Sequence, residues 1–287
     1  MKYAFIARHQ RQFRIAAMCR VLKTSRSGYY EWKGRGPSAR SLADQHLLAR
    51  IRRVHVEHRQ AYGAVKTWKT LNKQGVPCGK HRVARLRRTA GIEAQRKRRF
   101  RITVEHHQMP QPAPDLVARR FHAARPDVAW VGDMTFIRTR AGWLYLAILL
   151  DLYSRKVVGW SMGDRPNETL TLNALNMAIE HRLPAPGLIH HTDQGSIYRS
   201  QAYHHRLASH GILPSMGSKG SAYDNAVAES FFSNLKNELV HHCNFRSREE
   251  AKAAIFSYIE LFYNRQRIHQ SLGYQTPQQF EEQGAVP

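Results

Sequence analysis

Asp133, Asp193 and Glu229 are three acids spaced 60 and 36 positions apart, and Lys236 follows the last of them by seven. Each aspartate stands at the edge of a strand-like run. Glu229 lies on a segment whose apolar positions Val227, Phe231, Leu235 and Leu239 recur every four residues, one stripe of an amphipathic helix. Glu229 and Lys236 are two turns apart on one face of that helix, about 10 Å at 1.5 Å per residue. Taken alone this is a surface helix with a charged flank; the two aspartates give it weight. Two carboxylates about 4 Å apart repel by about 4 kcal/mol at an effective dielectric of roughly 20, so three gathered acids need cations between them. Oxygen-only donors select Mg2+ or Mn2+. A pair of such ions about 4 Å apart can activate an attacking oxygen and stabilise a leaving one, which is the chemistry of phosphodiester cleavage or transfer. Thr135 shares the strand face of Asp133 and is expected to brace it, and Lys236 is placed to hold a phosphate or a DNA end. Ser221 or Asp224 is the expected N-cap of the Glu229 helix; Asn225 is expected first as a cap and second as support for the site.

The elements that must position these acids alternate. Residues 128–137, 143–151 and 155–162 read as three strands joined by tight turns, an antiparallel meander. A helix over 168–181 follows, then a strand over 188–192 that ends at Asp193, a helix over 201–210, a strand over 212–216 and the Glu229 helix. A last amphipathic helix covers 249–262. The order β-β-β-α-β-α-β-α predicts an α/β domain: a five-stranded mixed sheet with helices on its faces. With Asp133 on the central strand and Asp193 at the end of the fourth, the two carboxylates fall side by side.

The first half of the chain is different in kind. Residues 1–129 hold 30 Lys and Arg against 7 Asp and Glu, whereas residues 130–287 hold 15 against 14. A polycation of this size seeks a polyanion. Two short helices are expected between Phe13 and Tyr30, then a break at Gly36-Pro37. An apolar-periodic helix from Ser41 follows, then one over 62–72, a tight connection through Pro77, and one over 81–88. The last carries Arg82, Arg85, Arg87 and Arg88, expected to face outward while Val83 and Leu86 face in, as in a helix that enters a DNA major groove. Arg96, Lys97, Arg98 and Arg99 form a basic block that neutralises phosphates without reading sequence. Prolines at 110, 112 and 114 mark a linker. The expected organisation is a helical hairpin over 1–40, a basic helix-turn-helix region over 41–108, a linker over 109–126, a catalytic core over 127–245 and a C-terminal helix and tail over 246–287.

The words around the acids resemble one family closely: the transposases encoded by the second reading frame of two-frame bacterial insertion sequences. They are related to retroviral integrases. The resemblance rests on Trp130-Val131-Gly132-Asp133-Met134-Thr135, Leu149-Leu150-Asp151-Leu152-Tyr153-Ser154-Arg155, His191-Thr192-Asp193-Gln194-Gly195, Tyr223-Asp224-Asn225-Ala226 and Tyr263-Asn264-Arg265-Gln266-Arg267-Ile268-His269, and on the 35 residues between Asp193 and Glu229. It implies a ribonuclease-H-like core, with Asp133, Asp193 and Glu229 as catalytic metal ligands, that hydrolyses DNA at the element's ends. The freed 3′-hydroxyl then joins another phosphodiester by direct in-line attack. It also implies double-stranded DNA as partner, a homo-oligomer on paired ends, and an upstream-frame product or a frameshift fusion with it. No zinc is expected, since His106 and His107 have no nearby cysteine partners.

Other functions are set aside on chemistry. Three scattered cysteines and the absence of a long apolar run point to a cytoplasmic, nucleoid-associated protein and away from a disulfide scaffold or a membrane span. Asp151 is expected to cap the turn at Tyr153-Ser154. Of His190 and His191 at most one can point to the site, because neighbours on a strand face opposite ways. His241, His242 and Cys243 are expected at the surface. Two rivals share the same residues: a nuclease of this fold without strand transfer, and a non-catalytic DNA-binding repressor.

Overall fold

The structure, a computed structural model, describes residues 2–36, 38–94, 112–118, 120–217 and 225–284. The basic block Arg96–Arg99, His106, His107, Ser221 and Asp224 lie outside the described residues, as do residues 109–111 and 119 of the expected linker. The chain divides into two compact units, residues 1–53 and 54–287.

In the first unit, α1 (Lys2–His9), α2 (Ile15–Val21) and α3 (Arg26–Gly34) pack around Ile6, Met18, Cys19 and Tyr29. Ser25 caps α3, accepting from the Gly28 amide at 2.8 Å. The expected hairpin is therefore α2 and α3. The sequence reading had no counterpart for α1, whose basic residues mask its single deeply buried position, Ile6. α4 (Ala39–Glu57) contains the division between the units.

The second unit opens with α5 (Ala64–Lys73) and α6 (Lys80–Thr89), the two helices of the basic region. Leu71, Val83 and Leu86 are buried where they meet. The sheet consists of β1 (Ala129–Thr139), β2 (Gly142–Asp151), β3 (Val157–Gly163), β4 (Ile189–Thr192) and β5 (Leu213–Met216) in the order β3-β2-β1-β4-β5. β1–β2 and β2–β3 are antiparallel; β1–β4 and β4–β5 are parallel. α7 (Glu168–Arg182) and α8 (Gln201–Ala208) cover one face, packing on Trp130, Leu149 and Val158. α9 (Ala226–Glu238) and α10 (Arg248–Ser257) cover the other, on Val131, Ile137 and Ile148. α10 continues as a wider π-type turn over Tyr258–Tyr263, and α11 (Pro277–Gly284) closes the chain.

Alternation along β1 sorts its side chains between these layers. Trp130 and Met134 enter the α7 core, while Val131 and Ile137 enter the α9 core, so Asp133 and Thr135 face α9. At Gly159 a side chain would strike the Ala174 carbonyl of α7, so this strand residue has to be glycine for α7 to lie so close. Glu281 of α11 pairs with Lys156 and Arg182, and Arg182 also with Asp127, at 2.7–2.8 Å, which fastens α11 to the sheet.

Candidate active site

β1 and β4 run parallel, with Ala129 opposite Ile189, Trp130 opposite His190 and Val131 opposite His191, an offset of 60. Asp193 follows Asp133 by the same offset, immediately beyond the last residue of β4. Continued by two residues, this register sets Asp193 beside Asp133, whose side chain faces α9. Asp133 is half-buried and Asp193 exposed. The Asp133 Oδ1 accepts from the Met134 amide at 2.7 Å, and the Asp193 Oδ1 from the Gly195 amide at 2.9 Å. Burial, with Asp193 and Glu229 as like charges nearby, pushes the Asp133 carboxyl up to about 8. Partial desolvation by the surrounding protein raises Asp193 and Glu229 as well.

Glu229 lies exposed in the first turn of α9. Its helix is set by the expected stripe: Phe231, Leu235 and Leu239 are buried, joined by Ala228 and Phe232, with Val227 packed beside them. Asn225 stands at the N-cap but makes no side-chain cap bond; its Nδ2 instead donates to the Gly132 carbonyl at 3.4 Å. The cap bond expected of Asn225 is therefore not formed by its side chain. The residue ties the start of α9 to the strand one peptide before Asp133. Lys236 holds its ammonium 5.3 Å from the Phe136 ring centre, within electrostatic reach of Asp133. Thr135 is buried on the face of Asp133.

The donor set, three carboxylates, fits a hard divalent cation. So do two buried polar atoms without a partner among the described residues: the Tyr198 hydroxyl, in electrostatic reach of both aspartates, and the Asn225 Oδ1. Among the described residues no three His, Cys, Asp or Glu stand close enough together to enclose an ion. Among the described residues the structure thus brings both Asp193 and Glu229 within electrostatic reach of Asp133 without closing the three acids into an ion cage.

Other expected residues take structural places. Asp151 is fully buried and accepts from the amides of Tyr153 at 2.6 Å, Ser154 at 3.3 Å and Asp127 at 2.9 Å, the turn cap that was expected. Both histidines before Asp193 are buried. His190 bonds the Tyr203 hydroxyl and His191 the Ser215 hydroxyl, each at 2.8 Å. His241, His242 and Cys243 are exposed.

On α6, Arg85 and Arg88 are exposed and Arg82 half-buried. Arg87 departs from the outward set: its guanidinium is buried and donates to the Thr67 hydroxyl of α5 at 3.1 Å. It lies four residues after Val83, on the same inward stripe, a spacing already present in the sequence. Arg267 is buried against Glu238 of α9 at 2.8 Å, an anchor.

Comparison with known proteins agrees with this architecture. The integrase core domain family matches residues 123–222, a second integrase core domain family residues 229–284, and an HTH-like domain family residues 42–100. The transposase InsF of insertion sequence IS3A from Escherichia coli K12 is 42% identical over 284 residues, 98% of this chain and 98% of the relative. An uncharacterized 31 kDa protein of insertion element IS600 from Shigella sonnei is 42% identical over 266 residues, 92% of this chain and 97% of the relative. Among solved structures, the simian T-cell lymphotropic virus intasome in complex with PP2A regulatory subunit B56 gamma is similar at TM-score 0.49 and 18% identity, covering 77% of this chain and 72% of that one. The HTLV-2 integrase catalytic core domain in complex with magnesium is similar at TM-score 0.42 and 20% identity, covering 55% and 98%. With near-identical lengths and 42% identity from end to end, the chain belongs to the InsF transposases of IS3-type insertion sequences and is a DNA transposase.

Proposed function

We propose that Asp133, Asp193 and Glu229 are the catalytic acids of this transposase and together hold Mg2+ or Mn2+, two ions in the working state, against a DNA end. The observation that carries the reading is the shared register of Asp133 and Asp193, with the Asp133 carboxyl raised to about 8 by its burial and by the neighbouring acids. Divalent cations there would supply the positive charge that lets the acids ionise together at neutral pH and would polarise the scissile phosphodiester.

The chain's own groups do the rest. Asn225 fixes the start of α9, four residues before Glu229, against Gly132. Lys236 offers its ammonium to a phosphate beside them. Arg82, Arg85 and Arg88, with Arg96, Lys97, Arg98 and Arg99, hold the duplex by its phosphates; Arg87 holds α6 on α5. Hydrolysis at the element's end frees a 3′-hydroxyl. That oxygen attacks a second phosphodiester in line, one P–O bond forming as another breaks, with no covalent bond to the protein. The labour divides as residues 1–40, 41–108, 109–126, 127–245 and 246–287 for hairpin, DNA binding, linker, core and C-terminal segment. The working form is an oligomer on paired ends, acting with the upstream-frame product or fused to it.

The test is cleavage and joining of a labelled duplex carrying the element's own end, by wild type and Glu229→Gln, in Mg2+, Mn2+ and chelator, with the upstream-frame product supplied. Joined product that needs metal and disappears in Glu229→Gln is the expected result. Cleavage without joining would make the protein a nuclease under these conditions. DNA binding with neither activity would leave a DNA-binding protein with an inert core.

A further inference from the structure

α9 is fastened at both ends. Its start is tied to β1 by Asn225, and its last residue, Glu238, lies nine residues beyond Glu229, about 14 Å along the axis at 1.5 Å per residue. Glu238 is buried, and Arg267 reaches it through Nη2 to Oε1 at 2.8 Å and through Nε to Oε2 at 2.9 Å, a two-pronged contact. The Tyr258 hydroxyl donates to the Oε2 at 2.8 Å. His269 lies 3.4 Å from the Arg267 Nη1 and is held well below its usual range by burial and the adjoining cation, so a neutral ring faces the guanidinium.

The residues flanking Arg267 are held in turn from the α5 side. The Tyr62 hydroxyl accepts from the Ile268 amide at 2.8 Å and donates to the Gln266 carbonyl at 3.4 Å, and the Lys66 ammonium donates to the Ile268 carbonyl at 2.9 Å. Arg59 lies over the rings of Tyr258 and Phe262, 5.5 and 5.1 Å from their centres.

A buried ion pair is a poor device for stability alone, because two well-packed apolar side chains of similar volume often do as well or better. What a two-pronged pair supplies is one fixed geometry. Apolar packing would let the end of α9 slide or rotate; the guanidinium fork does not. We propose that Arg267 is a positioning residue of the transposition reaction: gripped by Tyr62 and Lys66 through the strap 266–268, it fixes the end of α9 through Glu238 and so sets where Glu229 stands relative to Asp133. This rests on the reading of Glu229 as a catalytic acid.

The test uses the full chain and three variants. Glu238→Met/Arg267→Met replaces the pair by apolar volume, Arg267→Lys keeps the charge but loses the fork, and Glu229→Gln is the control. Three quantities are read: thermal melting, the Kd for Mn2+ from the electron paramagnetic resonance signal of the free ion, and joining of the end duplex at matched duplex occupancy. The expected result for the double variant is melting close to wild type, duplex affinity within about twofold, a Mn2+ Kd raised about fivefold or more, and joining lowered about 10- to 100-fold, the cost of an ångström-scale misplacement. Arg267→Lys is expected to move both the Mn2+ Kd and joining in the same direction. Wild-type Mn2+ affinity and joining in whichever of these variants folds would overturn the proposal and leave the pair as packing. Wild-type joining by Glu229→Gln would instead sink the assignment of Glu229, whatever the Arg267 variants do.

Discussion

Asp193 stands just past the end of β4, where the β1–β4 register continues opposite Asp133, because the strands pair at an offset of 60 and the two aspartates are separated by the same offset. That register sets Asp193 beside Asp133, whose side chain faces α9. The consequence is electrostatic: burial and the neighbouring acids push the Asp133 carboxyl up to about 8, so the metal-free protein carries a proton there at neutral pH.

A pH dependence follows from that shift. The folded Asp133 holds its proton more tightly than the unfolded residue, whose ordinary value is 3.8, so its contribution to stability is present below that value and is lost as pH rises to about 8. In chelator, wild type should lose stability across this window, and Asp133→Asn should be flatter. Saturating Mn2+ should also flatten the wild-type profile. Urea unfolding at several pH values checks both.

Gly132 leaves no room for a side chain: a Cβ would stand 2.7 Å from the His190 Cε1 and 3.3 Å from the Thr192 Cγ2. The imidazole is itself held by the Tyr203 hydroxyl at 2.8 Å and cannot swing away without losing that bond. Gly132→Ala should destabilise the fold by about 1–3 kcal/mol through overpacking, measured by urea unfolding. Because the clash is one residue from Asp133, joining should fall further than the loss of folded protein accounts for.

Arg87 and Arg88 are adjacent and should behave oppositely. Arg87→Ala leaves the Thr67 hydroxyl without its donor and opens a gap between α5 and α6, so it should cost about 1–3 kcal/mol of stability. Arg88 is exposed, and Arg88→Ala should leave melting unchanged while lowering DNA affinity and reducing the slope of log affinity against log salt by about 1. Melting curves and salt titrations separate the two.

DNA affinity as a whole should fall steeply with salt, by about 10³-fold or more from roughly 50 to 200 mM for six or more phosphate contacts. The polycation of residues 1–129 is the reason. A flat response in fluorescence anisotropy would contradict the assignment of DNA binding to that half.

The sheet and the helices on it could be read from the sequence because each rests on a local pattern. The tight turns after β1 and β2 force the meander, and the stripe through Phe231 and Leu235 identifies α9 and the layer it covers. The neighbouring positions of Asp133 and Asp193 follow from the strand order. The fastening of α9 could not be read, since Arg267 meets Glu238 across 29 residues and Tyr62 meets Ile268 across 206, and nothing local marks a pair so far apart. Arg87 was misread for another reason: an arginine on an apolar stripe looks like a surface residue until its partner, Thr67, is known to be buried beside it. The residue type and position of Asn225 point first to a cap and second to support for the site, but nothing local marks its partner, a strand carbonyl 93 residues away.

The most direct test of the account is joining of the end duplex by Asp193→Asn at a protein concentration that saturates the DNA. Asp193 lies beyond the end of β4 and is exposed, so the substitution should leave folding and duplex affinity within about twofold of wild type. Joining should fall by at least about 10²-fold in both Mg2+ and Mn2+, the scale expected when a group stabilising the transition state is removed. Joining at the wild-type rate by the folded, DNA-bound variant would contradict the assignment of the reaction to this pair of carboxylates.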